Sequence, residues 1–154
     1  MKNVLITSLA ALAFAGPALA GGDAALGEKV FNQCQTCHVV VDDAGTTLAG
    51  KKAKTGPNLY GVIGRTAGSL DGYKYGESMK AAGAAGLVWD EETFVAYVQD
   101  PAGFLKTRLN DPKAKAKMSF KLKKAEDAAN IYAFLVSLAP APADGAAAAP
   151  APSN

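Results

Sequence analysis

The segment Cys34-Gln35-Thr36-Cys37-His38 decides how the rest of this chain is interpreted. It contains the only two cysteines and the only histidine among the 154 residues. Two thiols three positions apart can add to the two vinyl groups of one porphyrin. His38, one helical turn beyond Cys34, can present an imidazole nitrogen to the iron. The C-x-x-C-H pattern is therefore typical of covalent haem attachment.

Three other kinds of site use the same residue types. A thioredoxin-like disulfide needs a βαβ setting, whereas the apolar residues around Cys34 repeat at helical spacing. A structural zinc site needs four protein ligands, but the chain has no cysteine or histidine besides Cys34, Cys37 and His38. A plain disulfide suits an exported chain but gives His38 no function. The sequence favours haem over all three.

Both ends of the chain differ in composition from the middle. Residues 1–20 combine a basic start, the apolar run Val4–Ala15 and the small-x-small sequence Ala18-Leu19-Ala20, which predicts a cleaved secretory signal and a periplasmic protein. The run is shorter than the roughly 20 apolar residues of a membrane span, so we expect no stable membrane insertion. Residues 139–154 are almost all Ala and Pro and predict a disordered tail. Residues 21–138 should form one domain.

Helical periodicity marks three segments of that domain. They are Asp23–Cys37, Asp90–Gln99, which ends before a proline, and Ala125–Leu138, and the shorter segment Glu77–Ala82 is a further candidate. Long loops must fill the gaps between them. Such loops are unusual in so small a domain unless a bound group occupies its core, and a haem would do so.

A second iron ligand should come from a methionine. Met1 belongs to the expected signal, and Met79 lies in Glu77–Ala82, where a methionine more often fills the core. Met118 follows a loop rich in Pro and Lys and precedes the last helix, so its loop can fold back over the haem. The sequence therefore favours Met118 as the ligand opposite His38, an arrangement that favours reduced iron.

These segments occur together in a known family. The chain resembles the class I c-type cytochromes over about residues 22 to 138, and within them the bacterial cytochrome c2 and c550 group. The matching segments are Cys34–His38, Lys54–Gly61, Gly64-Arg65, Trp89–Glu92, Tyr97 and Lys117–Phe120, with the insert Val39–Lys54 and the run Lys113–Lys124 typical of the bacterial group. The resemblance implies an all-α class I cytochrome c fold, in which helices and long loops wrap around one covalently bound haem c, and a monomeric protein.

The resemblance also implies how the haem is held. The carbonyl of Pro57 would accept a hydrogen bond from His38 and fix its tautomer. Arg65, Tyr75 and Trp89 would bind the haem propionates, since buried carboxylates need such donors. Simple core packing is the alternative for Trp89.

On the opposite face of the haem, the resemblance places the Tyr97 hydroxyl near the sulfur of Met118. Many relatives have a threonine two residues before the ligand that supports this network, whereas this chain has Ala116. The hydrogen bonding that holds Met118 is therefore open at the level of sequence.

Charge points to a docking surface around the ligand. The whole chain has a net charge of only +2. Six lysines nevertheless surround Met118 in sequence without an acid among them: Lys113, Lys115, Lys117, Lys121, Lys123 and Lys124. They predict docking to an acidic partner surface, and the alternative is a merely solvated face. The patch lacks the interleaved aromatic residues of a nucleic-acid interface, so no nucleic-acid partner is expected.

Together these features predict a soluble electron carrier and not an enzyme. The resemblance implies a cytochrome bc1 complex as electron donor and a photosynthetic reaction centre or terminal oxidase as acceptor. The alternative is an exported haem enzyme or gas sensor, such as a peroxidase or nitric-oxide binder. That alternative needs an open iron position, which Met118 would close.

Overall fold

The computed structural model describes residues 21–139. The predicted secretory signal and, apart from its first residue Ala139, the predicted tail lie outside the described residues. The described part contains five helices and two strands: α1 (Ala24–Phe31), β1 (Val39–Val41), β2 (Thr47–Gly50), α2 (Glu77–Ala84), α3 (Glu91–Gln99), α4 (Pro101–Leu109) and α5 (Ala125–Leu138). The predicted all-α class is confirmed, with one short sheet added. Between residues 21 and 139, each helix is too short or too polar to cross a bilayer.

The first and last helices cross closely. A methyl group on Gly27 would lie 2.0 Å from the carbonyl oxygen of Asn130, so only glycine permits this approach. The rings of Phe31 and Phe134 pack 5.5 Å apart beside the crossing. Asn130 is buried, and its Oδ1 accepts a hydrogen bond of 2.7 Å from the Asp23 amide. These contacts fix α1, which leads directly into the Cys34–His38 segment, against the C-terminal helix α5.

The first helix is shorter than the sequence predicted. It ends at Phe31, and turns replace the rest of the predicted segment Asp23–Cys37. The amides of Cys34 and Cys37 bond to the carbonyls three residues earlier, at 2.8 and 3.0 Å, instead of four. Such tight bonding favours short turns over a continued α-helix.

One helix, α4, was not predicted from the sequence. α3 begins after Asp90, whose carboxylate accepts from the Thr93 amide at 2.8 Å in a capping box. Proline should end this helix, and it does, but Pro101 is also the first residue of α4. Asp100 caps that new helix by accepting from the Gly103 amide at 3.2 Å. Proline fits the first helical position because its missing amide hydrogen is not needed there.

The insert after Cys34–His38 forms an antiparallel hairpin, whereas the sequence predicted a loop there. Its register pairs Val39 with Gly50, Val40 with Ala49 and Val41 with Thr47, with an irregularity after Val40. Val40 is fully buried. Three valines are too few to show a strand pattern, so the pairing was not visible in sequence.

The helices converge on an internal cavity. Met79 of α2, Phe94 of α3, Leu105 of α4 and Ile131 of α5 are all buried and border it. Hydrophobic side chains from four helices therefore form its walls.

Candidate functional site

The predicted iron and haem ligands lie around one cavity of about 690 Å³. Cys34, Cys37, His38 and Met118 all border it, although 84 positions separate the first from the last in sequence. Five further residues that the resemblance singled out border it as well: Pro57, Arg65, Tyr75, Trp89 and Tyr97. The volume lies within the roughly 300–1,000 Å³ of small-molecule and cofactor sites. Two thiols, an imidazole, a thioether and an apolar wall together fit a covalently bound haem.

The two thiols are half-buried and free. Burial, with Cys37 nearby, raises the pKa of the Cys34 thiol to about 11. Disulfide oxidoreductases instead lower the pKa of their attacking cysteine to keep it as a thiolate. The environment of Cys34 therefore does not favour thioredoxin-like redox chemistry.

His38 is held in one orientation. Its Nδ1 lies 2.9 Å from the Pro57 carbonyl oxygen, and its amide donates to the Cys34 carbonyl at 2.9 Å. Because a carbonyl only accepts, Nδ1 must carry the proton, which leaves the lone pair of Nε2 free for a metal. Burial lowers the pKa of His38, opposed by the Pro57 bond, and so favours the neutral ring that binds iron.

Residues 55–57, which we call the His38 strap, lie directly against the ring. A methyl group on Gly56 would lie 2.4 Å from Cε1 of His38. The Gly56 amide donates to the Cys37 carbonyl at 2.7 Å, and the Tyr73 hydroxyl donates to the Thr55 carbonyl at 2.8 Å. Gly56 belongs to the segment Lys54–Gly61 that matches the family, but nothing in the sequence indicated its contact with the ring or the hydrogen bond from Tyr73 to Thr55.

Arg65 and Asn58 build the loop beyond the strap. The Arg65 guanidinium donates to the carbonyls of Asn58 and Tyr60, each at 3.1 Å. Asn58 also exchanges two hydrogen bonds with the backbone of Val41, at 2.7 and 2.9 Å, and so joins the loop to β1. Burial lowers the pKa of Arg65, with Tyr75 opposing the shift. Two of its five N–H donors serve the backbone, and the side chain also borders the cavity.

Aromatic side chains form another part of the wall. The rings of Trp89 and Tyr97 lie 5.0 Å apart, and those of Tyr73 and Tyr75 lie 4.7 Å apart. Burial strongly raises the pKa of Tyr97, so its hydroxyl stays protonated and can donate a hydrogen bond. Trp89 is both core and cavity wall, so the two interpretations of it are compatible.

The Met118 segment, residues 111–121, forms a further part of the cavity wall, which we call the Met118 side, as distinct from the His38 side formed by His38 and its strap. Met118 is half-buried, whereas Met79, the other candidate, is buried in α2 and also borders the cavity. The Lys115 amide donates to Ser78 Oγ at 2.9 Å, and the Lys117 ammonium donates to the Lys74 carbonyl. Neither contact was predicted from the sequence.

All six predicted docking lysines are exposed, but two of them have partners within the protein. Lys121 forms an ion pair of 2.7 Å with Asp100, an acid that the local sequence did not reveal. Lys117 is bonded to Lys74. Lys113, Lys115, Lys123 and Lys124 remain outside the ion pairs found among the described residues.

Comparisons with known proteins agree with this geometry. The family model described as cytochrome c matches residues 24–139. The cytochrome c2 of Cereibacter sphaeroides is 64% identical over 141 residues, covering 89% of this chain and 97% of the relative. The cytochrome c-550 of Paracoccus denitrificans is 44% identical over 158 residues and the full length of both proteins.

Solved structures show the same likeness. A crystal structure of cytochrome c2 from Rhodobacter sphaeroides is similar with a TM-score of 0.77 and 66% identity, covering 79% of this chain and 99% of the other. Ferric cytochrome c-550 from Paracoccus versutus is similar with a TM-score of 0.72 and 44% identity, covering 77% of this chain and 99% of the other.

Proposed function

This chain belongs to the cytochrome c family, and on that premise we propose that it is a soluble periplasmic electron carrier whose iron is held by His38 and Met118. As a family member it has the class I cytochrome c fold, carries one covalently bound haem c and transfers electrons without being an enzyme. The observation that carries the proposal is the single cavity bordered by both thiols, the imidazole and the thioether. The proposal also includes export with cleavage of residues 1–20. Residues 139–154 would form a free tail.

The haem supplies reversible one-electron exchange at its iron. The chain supplies attachment through Cys34 and Cys37, and it orients the lone pair of His38 through the Pro57 carbonyl. A hydrogen bond at the outer nitrogen raises the basicity of a ligating histidine. These residues fix the cofactor and leave the sixth position to the other side of the cavity.

Met118 determines whether the site transfers electrons or binds small ligands. A thioether closes the sixth position and favours reduced iron, which raises the potential. In this proposal the protonated hydroxyl of Tyr97 donates toward the sulfur. Arg65, Tyr75 and Trp89, which border the same cavity, would supply the donors that buried propionates need. A peroxidase or gas sensor would instead keep this position open.

Replacing the two methionines separately tests the ligand. Met118→Ala should remove the weak long-wavelength absorption band expected of oxidised haem with a methionine ligand, and should lower the potential. Met79→Leu is the matched control, because it keeps the volume of a side chain bordering the same cavity. It should leave band and potential in place. A band that survives in Met118→Ala would refute the ligation. A wild-type protein that lacks the band and binds carbon monoxide at once would favour the gas-sensor alternative.

The lysines around Met118 form the docking surface in this proposal. Their partners would be a cytochrome bc1 complex as donor and a photosynthetic reaction centre or terminal oxidase as acceptor. Four exposed lysines, which form no ion pair with residues 21–139, give this surface a positive field that would steer an acidic partner surface toward the cavity.

Charge reversal on this surface tests the docking. Lys115→Glu with Lys123→Glu should slow second-order electron transfer to a purified acceptor complex at least about tenfold at low salt. High salt should remove most of the difference. Lys29→Glu with Lys52→Glu is the matched control, since it makes the same charge change at exposed lysines outside the six that surround Met118 in sequence. Equal rates for the two double variants would refute the docking surface.

A further inference from the structure

We propose that Ser78 is the positioning residue for Met118, holding the Met118 segment closed over the cavity. The inference rests on the proposed ligation by Met118. It begins with one long-range hydrogen bond, in which Ser78 Oγ accepts from the Lys115 amide at 2.9 Å across 37 positions of sequence. A serine in a helix usually bonds to its own backbone or to water, so this partner is unusual.

The hydrogen bond between Lys115 and Ser78 matters because of where it lies along the Met118 segment. Ala114 bonds within its own turn, to Asp111 at 3.1 Å, and the next backbone anchor is Leu122, whose amide donates to the Val98 carbonyl at 2.9 Å. Among the described residues, the amides from 116 to 121 make no hydrogen bond. The Lys115 amide is therefore the last backbone anchor before Met118, three residues away.

Ser78 also supplies hydrogen bonding near Met118, which the sequence left open because residue 116 is alanine. The methyl group of Ala116 cannot make the hydrogen bonds of the threonine found in many relatives at this position. The anchor at Lys115 lies one residue earlier and draws on a hydroxyl from another element. The segment thus has a hydroxyl contact next to Ala116, supplied by α2 and not by the segment itself.

The helix that carries Ser78 is itself firmly seated. Its neighbour Met79 is buried, and a methyl group on Gly83 would lie 1.9 Å from the Ala67 carbonyl oxygen, so α2 packs closely on the loop before it. A hydroxyl on a fixed helix can hold a loop in place, because the supporting side does not move with it. The ammonium of Lys117 makes a second contact with residue 74, but on an exposed and flexible side chain.

Binding of imidazole to the oxidised, haem-loaded protein tests this role, since imidazole reaches the iron only when Met118 leaves. Removing the hydroxyl in Ser78→Ala should favour the open segment and raise the affinity for imidazole by about fivefold. Ser78→Thr keeps a hydroxyl and should restore wild-type affinity. Ser69→Ala is the matched control, because its hydroxyl donates at 2.7 Å to the Thr66 carbonyl and its side chain does not border the cavity.

The outcomes separate this inference from the ligation on which it rests. If the wild-type protein lacks the methionine band, the proposed function fails and the positioning role fails with it. If all variants show the band, but Ser78→Ala binds imidazole no more tightly than wild type and Ser69→Ala, the ligation stands and the role of Ser78 is refuted. Equal gains in Ser78→Ala and Ser78→Thr would also refute it, because the hydroxyl would not be the cause.

Discussion

The two sides of the cavity are held by different kinds of contact. On the His38 side, the ring and backbone bond to Pro57 and Cys34, and Gly56 bonds to Cys37, so every partner lies within 19 positions. On the Met118 side, the anchoring contacts span 37 and 43 positions and come from the side chains of Ser78 and Lys117. Short-range backbone contacts form a rigid ligand, whereas long-range side-chain contacts hold a segment that can open. If His38 and Met118 bind the iron as proposed, the fold pairs a fixed ligand with a releasable one.

The largest expected loss of stability comes from a substitution that disrupts the contacts around His38. Gly56→Ala would push a methyl group to 2.4 Å from the His38 ring, and neither the strap nor the ring can yield without losing its hydrogen bonds. Overpacking of this kind costs about 3 kcal/mol of unfolding free energy. Denaturant unfolding of the haem-loaded protein measures it.

Gly76→Ala is the control for that substitution, on the Met118 side. A methyl group there would meet the side chain of Lys117 at 3.5 Å, an ordinary contact. The loss should stay below about 1 kcal/mol, the cost of a poorer helix cap. Similar losses for the two alanines would remove the contrast between the two sides.

A smaller effect is expected where a side chain, and not the backbone, holds the strap. Tyr73→Phe removes the hydroxyl that donates to the Thr55 carbonyl, and one lost hydrogen bond costs about 1 kcal/mol. Tyr132→Phe is the control, since its hydroxyl makes no hydrogen bond to residues 21–139 in the structure and its loss should be close to zero. Thermal unfolding compares the two. Because the strap lies against His38, Tyr73→Phe should leave the affinity for imidazole unchanged, and a rise in that affinity would show that the sides are coupled.

The smallest effect concerns a helix cap outside both sets of anchors, and it depends on pH. Hydrogen bonds from Thr93, chiefly from its side chain, lower the pKa of Asp90. A lowered carboxyl pKa stabilises the fold fully above the ordinary value near 4, and this contribution is lost as the pH falls below it. Asp90 is exposed, so solvent weakens this contribution, and Asp90→Ala should cost only about 0.5 kcal/mol at neutral pH, the low end for a lost helix cap. The difference from wild type should shrink in acid, as pH-dependent unfolding would show, and a constant difference would contradict the assignment.

The sequence predicted those parts of the fold that depend on residues within one segment better than the parts that depend on distant contacts. The helix α3 was predicted because acids at its start, apolar periodicity and a following proline all lie within or beside the segment, and α5 was predicted from its apolar periodicity alone. The sequence did not reveal α4, because the proline that ends one helix also starts the next. It also gave no sign that the helix before the haem motif tightens into turns at Phe31, or that the three valines after the motif pair with a strand.

Within the site, motif spacing identified the residues that border the cavity but not the contacts that hold them. Cys34, Cys37 and His38 follow from one pentapeptide, and Met118 from its place before the last helix. Ser78 and Asp100 are ordinary residues in sequence, and only the folded chain brings them to Lys115 and Lys121. The six lysines looked equivalent for the same reason, although two of them are engaged within the protein.

Native-state amide hydrogen exchange on the haem-loaded protein tests the contrast between the two sides most directly. The amides of His38 and Gly56 should exchange only through openings close to global unfolding, because backbone carbonyls hold them beside the motif. The Lys115 amide, bonded to Ser78 Oγ, should exchange at least about tenfold faster through a local opening of the Met118 segment. A Lys115 amide that is protected as well as that of Gly56 would contradict this contrast, because His38 and the Met118 segment would then be held equally firmly.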